Sequence, residues 1–307
     1  MSKLRIGINL LRNNRRALLS FIIEKMGFLL NDKLYLKLLF RIRMGYRLNL
    51  DNPKTFSEKI QWLKIYDRQP RYTTLVDKYL VKDIVADIIG KEHIIPTIGV
   101  WDNPESIEWD KLPKQFVLKT THGGGNSGVV ICKDKNLIDR QHVIDKLNKS
   151  LKQDIYKTFR EWPYKNVPRK ILAEKFMVEE NCLYTTKDLE DYKFFCFNGV
   201  PKIMFVASDR ANKVCFDYYD MHLRHLNLKQ GGDNYKGEVK LPQHFEEMKA
   251  IEAKISKNIP HVRTDFYEIN NKVYFGELTF FDSSGFARFE PEEWDEKLGE
   301  LIDLDSI

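Results

Sequence analysis

The sequence predicts an α+β fold with antiparallel sheets. Three observations predict it. Apolar residues recur at helical spacing through most of the first 90 positions. From about residue 97 the pattern changes to short apolar runs of strand length, separated by turn residues. Two tight-turn signals, Asn198-Gly199 and Asn270-Asn271, join neighbouring runs into hairpins, which makes those strands antiparallel.

Taken in order, Leu18, Ile22, Met26 and Leu29 share one helix face, and Tyr35, Leu38, Leu39 and Ile42 share another. Arg15, Arg16, Lys37, Arg41 and Arg43 lie between them, so both predicted helices are basic and amphipathic. Thr55 with Glu58 three residues on forms a capping box ahead of Phe56, Ile60 and Leu63. One further helix from about Thr74 carries Val76, Leu80, Ile84 and Ile88 and stops at Gly90, which places Asp77 and Lys78 on a helix. Strands follow at 97–101, 115–119, 128–132, 170–176, 192–197 and 201–207, with helices near 139–153 and 243–256 and a second hairpin over 261–280. Four parts result: a basic helical segment (1–50), a helical subdomain (51–110), a subdomain with a glycine loop (111–180) and a C-terminal subdomain (181–307). No internal repeat or low-complexity stretch interrupts them.

The chain has 307 residues and a net charge of +6, but residues 1–50 carry 11 Lys/Arg against 2 acids, so the remainder is net −3. Basicity this local does not describe a nucleic-acid partner. It suits peripheral contact between the two amphipathic helices and an anionic membrane surface. The apolar run 17–23 is stopped by Glu24 and Lys25, short of the roughly 18 residues a span requires, and no signal peptide is predicted. Cys132, Cys182, Cys196 and Cys215 form no CxxC pair, which argues against a zinc site or disulfide framework and fits a reducing cytoplasm, at the inner face of the membrane.

The stretch "FVLKTTHGGGNSGVVICK" ends an apolar strand on Lys119 and then places Gly123, Gly124 and Gly125 in a loop. Such backbone can approach an anion and offer it N–H groups, while the lysine adds a point charge. It is not a Walker A loop, which has its lysine after the glycines. A plain hairpin with a flexible tip fits the glycines equally.

In the 261–280 hairpin two registers compete. A two-residue loop at Asn270-Asn271 would pair Asp265 with Gly276 and mix polar with apolar residues on both faces. A slip of one residue, through a three-residue loop or a bulge, pairs Val262 with Leu278, Phe266 with Tyr274 and Arg263 with Glu277, with Asp265 and Thr279 beside the last pair; its cleaner segregation makes it the predicted register. Asp265 and Glu277 are then diagonal neighbours roughly 5–8 Å apart, able to share Mg²⁺ with phosphate oxygens. An Arg263–Glu277 ion pair on a solvated face is the plainer alternative.

Elsewhere, Glu174 stands among apolar residues in "ILAEKFM", and Asp191 and Lys193 alternate away from Tyr192, Phe194 and Cys196. Arg210 and Ser284 follow strands, and Arg210 suits a carboxylate acceptor. His122 is a lone loop histidine, more often structural than catalytic.

In this order, Asp77-Lys78, Lys119 with its glycines, Glu174-Lys175-Phe176-Met177, Asp191 with Lys193, Arg263-x-Asp265 and Glu277-x-Thr279 resemble the ATP-grasp ligases. "TLVDKYLVKD", "FVLKTTHGGG", "DYKFFCFNG", "YFGELTFF" and "FEPEEWDEKLG" resemble more closely the TupA-like branch, over about residues 30–303. Members of that branch accompany surface-polysaccharide synthesis and are sometimes labelled glycosyltransferases. The resemblance implies an ATP-grasp fold whose antiparallel sheets sandwich ATP. It implies phosphate contacts from Lys78 and Lys119, closure of the loop containing His122 and Gly123, Gly124 and Gly125, and recognition of adenine by Glu174 and the backbone near Met177, while the alternation of its strand lets Lys193 reach a phosphate. Asp191 joins this cofactor-binding set. Asp265 and Glu277 would hold Mg²⁺, with Thr279 standing where the superfamily commonly has Asn. Arg263, Arg210 and Ser284 are the candidate catalytic residues. The implied activity is an ATP- and Mg²⁺-dependent carboxylate–amine ligase joining an amino acid to a uronic acid of a glycan or lipid-linked glycan. A sugar-nucleotide glycosyltransferase is the alternative, though the chain's DxD, Asp303-Leu304-Asp305, follows no strand. A non-catalytic ATP-binding scaffold is the third reading.

Overall fold

The computed structural model describes residues 15–125, 127–179, 189–209, 213–305 and 307. Helices open the chain: α1 (Arg15–Met26), α2 (Asp32–Met44), α3 (Phe56–Tyr66), α4 (Arg71–Val76) and α5 (Val81–Ile89). Both bonds of the Thr55/Glu58 capping box form at the start of α3. The single helix expected from Thr74 is instead α4 and α5 with a turn between them. Asp77 breaks it, because its carboxylate accepts the N–H groups of Tyr79 (2.8 Å) and Leu80 (3.0 Å) as a cap would. Lys78 therefore stands in the turn and not on a helix, with its N–H bonded to the Thr121 carbonyl at 3.0 Å.

The strands form two main antiparallel sheets. The smaller has the order β1-β4-β2-β3, from β1 (Thr97–Trp101), β2 (Phe116–Thr120), β3 (Val129–Cys132) and β4 (Ile171–Lys175). Between β3 and β4 run α6 (Arg140–Leu151) and α7 (Ile155–Phe159). Phe116, Leu118, Ile171 and Ala173 point to one side of this sheet and bury against Val143 and Leu147 of α6. Alternation then turns Val117, Lys119, Leu172 and Glu174 to the other side.

The larger sheet has the order β10-β9-β5-β6-β7, from β5 (Asp191–Phe197), β6 (Val200–Ser208), β7 (Cys215–Asp220), β9 (His261–Ile269) and β10 (Lys272–Thr279). A short pair, β8 (Lys229–Gln230) with β11 (Phe289–Glu290), and helices α8 (Phe245–Ile255) and α9 (Glu293–Glu300) complete the chain. Tyr192, Phe194, Val262 and Phe266 pack with Met248 and Ile255 of α8 in the main core. Asn198-Gly199 makes the expected tight turn between β5 and β6, both residues having positive φ (50° and 79°).

The β9–β10 register differs from the predicted one. Asn270 and Asn271 form a two-residue turn with φ of 51° and 61°, and Phe266 lies opposite Phe275. A bulge at Gly276 then shifts the ladder, so that Glu277 lies directly opposite Asp265, and Thr279 opposite Arg263. Regular alternation would put Phe275 and Glu277 on one face. The extra residue lets Phe275 join the core while Glu277 turns to the other side with Asp265. Only glycine fits there, since a Cβ at 276 would come within 2.8 Å of the Asp265 carbonyl oxygen.

One face of α2 packs inward through Tyr35, Leu36, Leu39 and Phe40, together with Leu48 and Leu50. Leu38, expected on that face, is exposed. The Tyr35 hydroxyl donates to the Thr158 carbonyl at 2.7 Å, and Arg160 pairs with Asp32 at 3.0 Å, which ties α2 to the end of α7. Outside this contact Met26, Phe28, Leu29 and Leu34 are exposed, Phe28 to 81%. Among the described residues no helix is long and apolar enough to cross a membrane.

Candidate active site

On the large sheet the strand registers line up one residue from each of five strands: Glu277, Asp265, Lys193, Phe205 and Tyr218. Its first three members are charged and interlocked. Lys193 bridges Asp265 and Asp191, the latter at 2.7 Å. Arg263 grips both oxygens of Asp265 at 2.7 and 3.0 Å, also pairs with Asp282, and donates to the Thr279 hydroxyl at 3.1 Å. The Arg263–Glu277 contact, the plainer alternative for this pair, is the loose one at 3.9 Å. Glu277 is instead paired with Lys78, which reaches it from the α4–α5 turn.

The two carboxylates titrate in opposite directions. Burial raises the pKa of Asp265 despite Arg263 and Lys193. Glu277 resists burial because Lys78, Lys193 and Arg263 together hold it well below the usual carboxylate range.

Across the cleft the smaller sheet presents Lys119 and Glu174. Lys119 pairs with Glu174 at 2.7 Å, and Lys82 of α5 takes the other oxygen of the same carboxylate. Burial alone would lower the pKa of Lys119, but Glu174 more than offsets it, and Glu277 and Asp191 from the facing sheet add to the effect. The ammonium stays charged. Glu174 is likewise held ionised against burial by Lys119 and Lys82. Its carboxylate is thus occupied in positioning two lysines. In the loop beyond Lys119, Gly125 has a φ of +59°, and among the described residues a side chain there would meet nothing outside its chain neighbours. That open backbone suits a cradle for oxyanions.

Ser283, Ser284 and Gly285 follow β10 in the left-handed region, with φ of 48°, 54° and 64°. Two buried side chains hold this unusual loop. The Ser284 hydroxyl donates to Glu161, and Lys64 donates to the Ser284 carbonyl at 2.7 Å. Burial depresses the Lys64 pKa to about 7 and raises that of Glu161.

One cleft of about 1740 Å³ gathers Lys78, Lys119, Gly123, Gly124, Gly125, Glu174, Met177, Asp191, Lys193, Arg263, Asp265, Glu277, Thr279 and Ser284. His122 is not on its wall; the ring is 3% exposed, beside the backbone of Ser150 and Gln153, and burial lowers its pKa. Arg210 lies outside the described residues. Asp303 and Asp305 follow α9 and do not line the cleft. Sequence reading missed Lys82, Asp282, Glu161 and Lys64. Asp282 was visible as an acid three residues beyond Thr279, but Lys64 and Lys82 look like ordinary helix-surface lysines until packing buries them.

Lys78, Lys82, Lys119, Lys193 and Arg263 meet Glu174, Asp191, Asp265, Glu277 and Asp282, five cations against five carboxylates. This paired centre has no surplus positive charge for a polyphosphate, so a divalent cation would supply it. Asp265, Glu277 and the Thr279 hydroxyl are hard oxygen donors that fit Mg²⁺. Among the described residues no group of three or more His, Cys, Asp or Glu is placed to hold a metal ion. Two carboxylates completed by phosphate oxygens and water is the arrangement Mg²⁺ commonly takes.

No curated protein matches the chain. Solved structures of similar fold include D-alanine–D-alanine ligase from Helicobacter pylori, with a TM-score of 0.42 and 16% identity over 81% of this chain and 69% of that one. The corresponding ligase from Bacillus anthracis, complexed with ATP, gives 0.38 and 14% over 67% and 54%. A RimK domain ATP-grasp protein from Sphaerobacter thermophilus gives 0.38 and 12% over 75% and 69%. The chain thus matches about half the length of the Bacillus ligase. The sequence profile described as TupA-like ATPgrasp matches residues 58–303, most of the chain and nearly all of the cleft, and on that match the chain belongs to the TupA-like ATP-grasp family.

Proposed function

We propose that the chain is an ATP- and Mg²⁺-dependent carboxylate–amine ligase acting through an acyl phosphate, and that it attaches an amino acid to a uronic acid of a bacterial surface polysaccharide. The observation that carries this reading is the row Glu277–Asp265–Lys193 on one wall of a cleft whose other wall presents Lys119 and a glycine loop. When bound, ATP supplies the transferable phosphoryl group and Mg²⁺ neutralises its charge. Asp265 and Glu277, with Thr279, would hold the ion. Lys78, Lys119 and Lys193, each kept in place by a carboxylate partner, would donate hydrogen bonds to anionic oxygens, while the extra positive charge comes from the ion. Arg263 is fixed by Asp265 and Asp282, so its charge is preorganised rather than swung into position. Positioning and charge carry such chemistry, and it needs no Ser/His/Asp or Cys/His nucleophile.

Incubation with ATP, Mg²⁺ and a uronic-acid lipid-linked acceptor should release ADP only when the acceptor is present. Added hydroxylamine should capture the activated carboxyl as a hydroxamate. Acceptor-dependent ADP with neither hydroxamate nor amide, or turnover of a UDP-sugar without ATP, would overturn the proposal.

The acceptor's lipid anchor would bring the enzyme to a membrane, and the N-terminal helices support such contact. Exposed Met26, Phe28, Leu29 and Leu34 lie among Lys25, Lys33 and Lys37, where apolar groups can enter the headgroup region and each basic residue adds about 1 kcal/mol. Sedimentation with anionic liposomes should fall when Phe28 and Leu29 are both changed to Ser. Unchanged sedimentation would leave these residues without a membrane role.

A further inference from the structure

Beyond Lys193 the charged row becomes aromatic. Phe205 of β6 lies opposite Lys193, Tyr218 of β7 lies opposite Phe205, and Phe216 lies opposite Ala207. Their rings pack on one another, with centroids 4.9 Å apart for Phe205–Tyr218 and 5.4 Å for Phe205–Phe216. Phe216, the partly exposed ring of the three, faces a second recess of about 420 Å³, with Phe205 and Tyr218, 4% and 1% exposed, packed behind it; that volume is near the lower end of the roughly 300–1,000 Å³ of small-molecule sites. Lys193, Arg263 and Ser283 line both this recess and the main cleft, so the two adjoin at the end of the cleft that holds Asp265 and Glu277.

We infer that this recess is a pyranose subsite, which takes the ring of a uronic acid and presents its carboxylate towards Lys193 and Arg263. The inference rests on the ligase reading for the purpose of the recess, and on its lining for the class of ligand. The lining is apolar on the floor and polar at the edge, where Gln230, Asp282 and Ser283 offer both donors and acceptors. A pyranose has that division: C–H groups on one face, and hydroxyls around the perimeter. An aromatic side chain would cover the floor equally well but leave the polar edge without partners, which is costly once water is excluded. Gln230 accepts the Tyr218 hydroxyl at 3.1 Å through its amide oxygen, so its N–H groups are the part that can serve a ligand. The floor is also held in shape. A Cβ at Gly232 would lie 3.0 Å from the Phe216 ring, so the backbone of the 231–232 turn backs that ring closely. Across from Phe216, the small and buried Ala207 is part of the recess lining.

Saturation-transfer NMR on the full chain with free glucuronic acid, beside calorimetric titration with Mg²⁺ and ATP, tests the assignment. The wild type should transfer saturation to the sugar ring protons. Phe216→Ser, which removes part of the floor, should cut that transfer at least fivefold. Ala207→Leu, which fills the recess and keeps every ring, should do the same, and both variants should bind ATP within twofold of wild type. Sugar saturation that persists in both variants would overturn the subsite, as would saturation of free phenylalanine in place of the sugar. A wild type that binds ATP but saturates no sugar removes the subsite and leaves ATP use standing. Sugar saturation without any ATP binding removes the ligase reading and keeps the recess as a sugar site.

Discussion

The two walls of the cleft are built from the same kind of sheet and differ in what stands behind them. Behind Asp265, Lys193 and Glu277 lies the main core, with Phe194, Phe266 and Met248 fully buried. Behind Lys119 and Glu174 lies a smaller core formed with α6, and beyond Lys119 runs an open glycine loop. Charges on the large sheet hold one another in a lattice, whereas Glu174 on the small sheet serves Lys119 and Lys82. The contrast teaches that one wall can fix geometry while the other only has to deliver positive charge.

The largest expected effect tests the lattice. Asp265→Ala strips one partner from both Lys193 and Arg263, which keep Asp191 and Asp282, so it should lower stability by about 1.5–3 kcal/mol as well as abolish ATP turnover. Glu277→Gln should cost about 10²–10³ in turnover, but less than about 1 kcal/mol in stability, since that side chain is 34% exposed. Equal melting shifts for the two variants would break the comparison, because the lattice would then not be what makes Asp265 different. Gly276→Ala comes next. By pressing on the Asp265 carbonyl it should cost about 1–3 kcal/mol and reduce turnover without removing any charged group. Activity unaltered by that change would show that the bulge does not set the carboxylate pair. The smallest effect belongs to the other wall. Lys119→Met should weaken ATP binding about tenfold, or 1.4 kcal/mol, with little change in melting temperature, because Lys82 still holds Glu174. A melting shift as large as that of Asp265→Ala would make the two walls equivalent.

Much of the fold could be read from apolar spacing, because alternation and helical period are local. The capping box at Thr55 and the tight turn at Asn198-Gly199 are cases where a few adjacent residues decide the outcome. The β9–β10 hairpin was harder. Segregating polar from apolar residues calls for a three-residue loop or a bulge but does not say where, while the chain uses a two-residue turn and then changes register at Gly276. Asp265 and Glu277 still reach one face, by direct opposition rather than as diagonal neighbours. Lys78 was misread as helical because apolar spacing runs through Asp77, whose own side chain ends the first helix. Lys64 and Lys82 could not be recognised at all. Their burial depends on residues more than 90 positions away, Glu161 and Ser284 for one and Glu174 for the other.

The row from Glu277 to Tyr218 takes one residue from each of five paired strands, so it is a cross-section of the sheet and not a patch on it. No member can leave without opening ladder bonds that its neighbours share. Amide hydrogens in the middle of β5 should therefore exchange only through opening of the whole sheet, while those of the glycine loop exchange through small local fluctuations. On warming, the cleft would lose order first at the glycine loop. The carboxylate pair and the aromatic recess would remain assembled until the sheet melts as one unit.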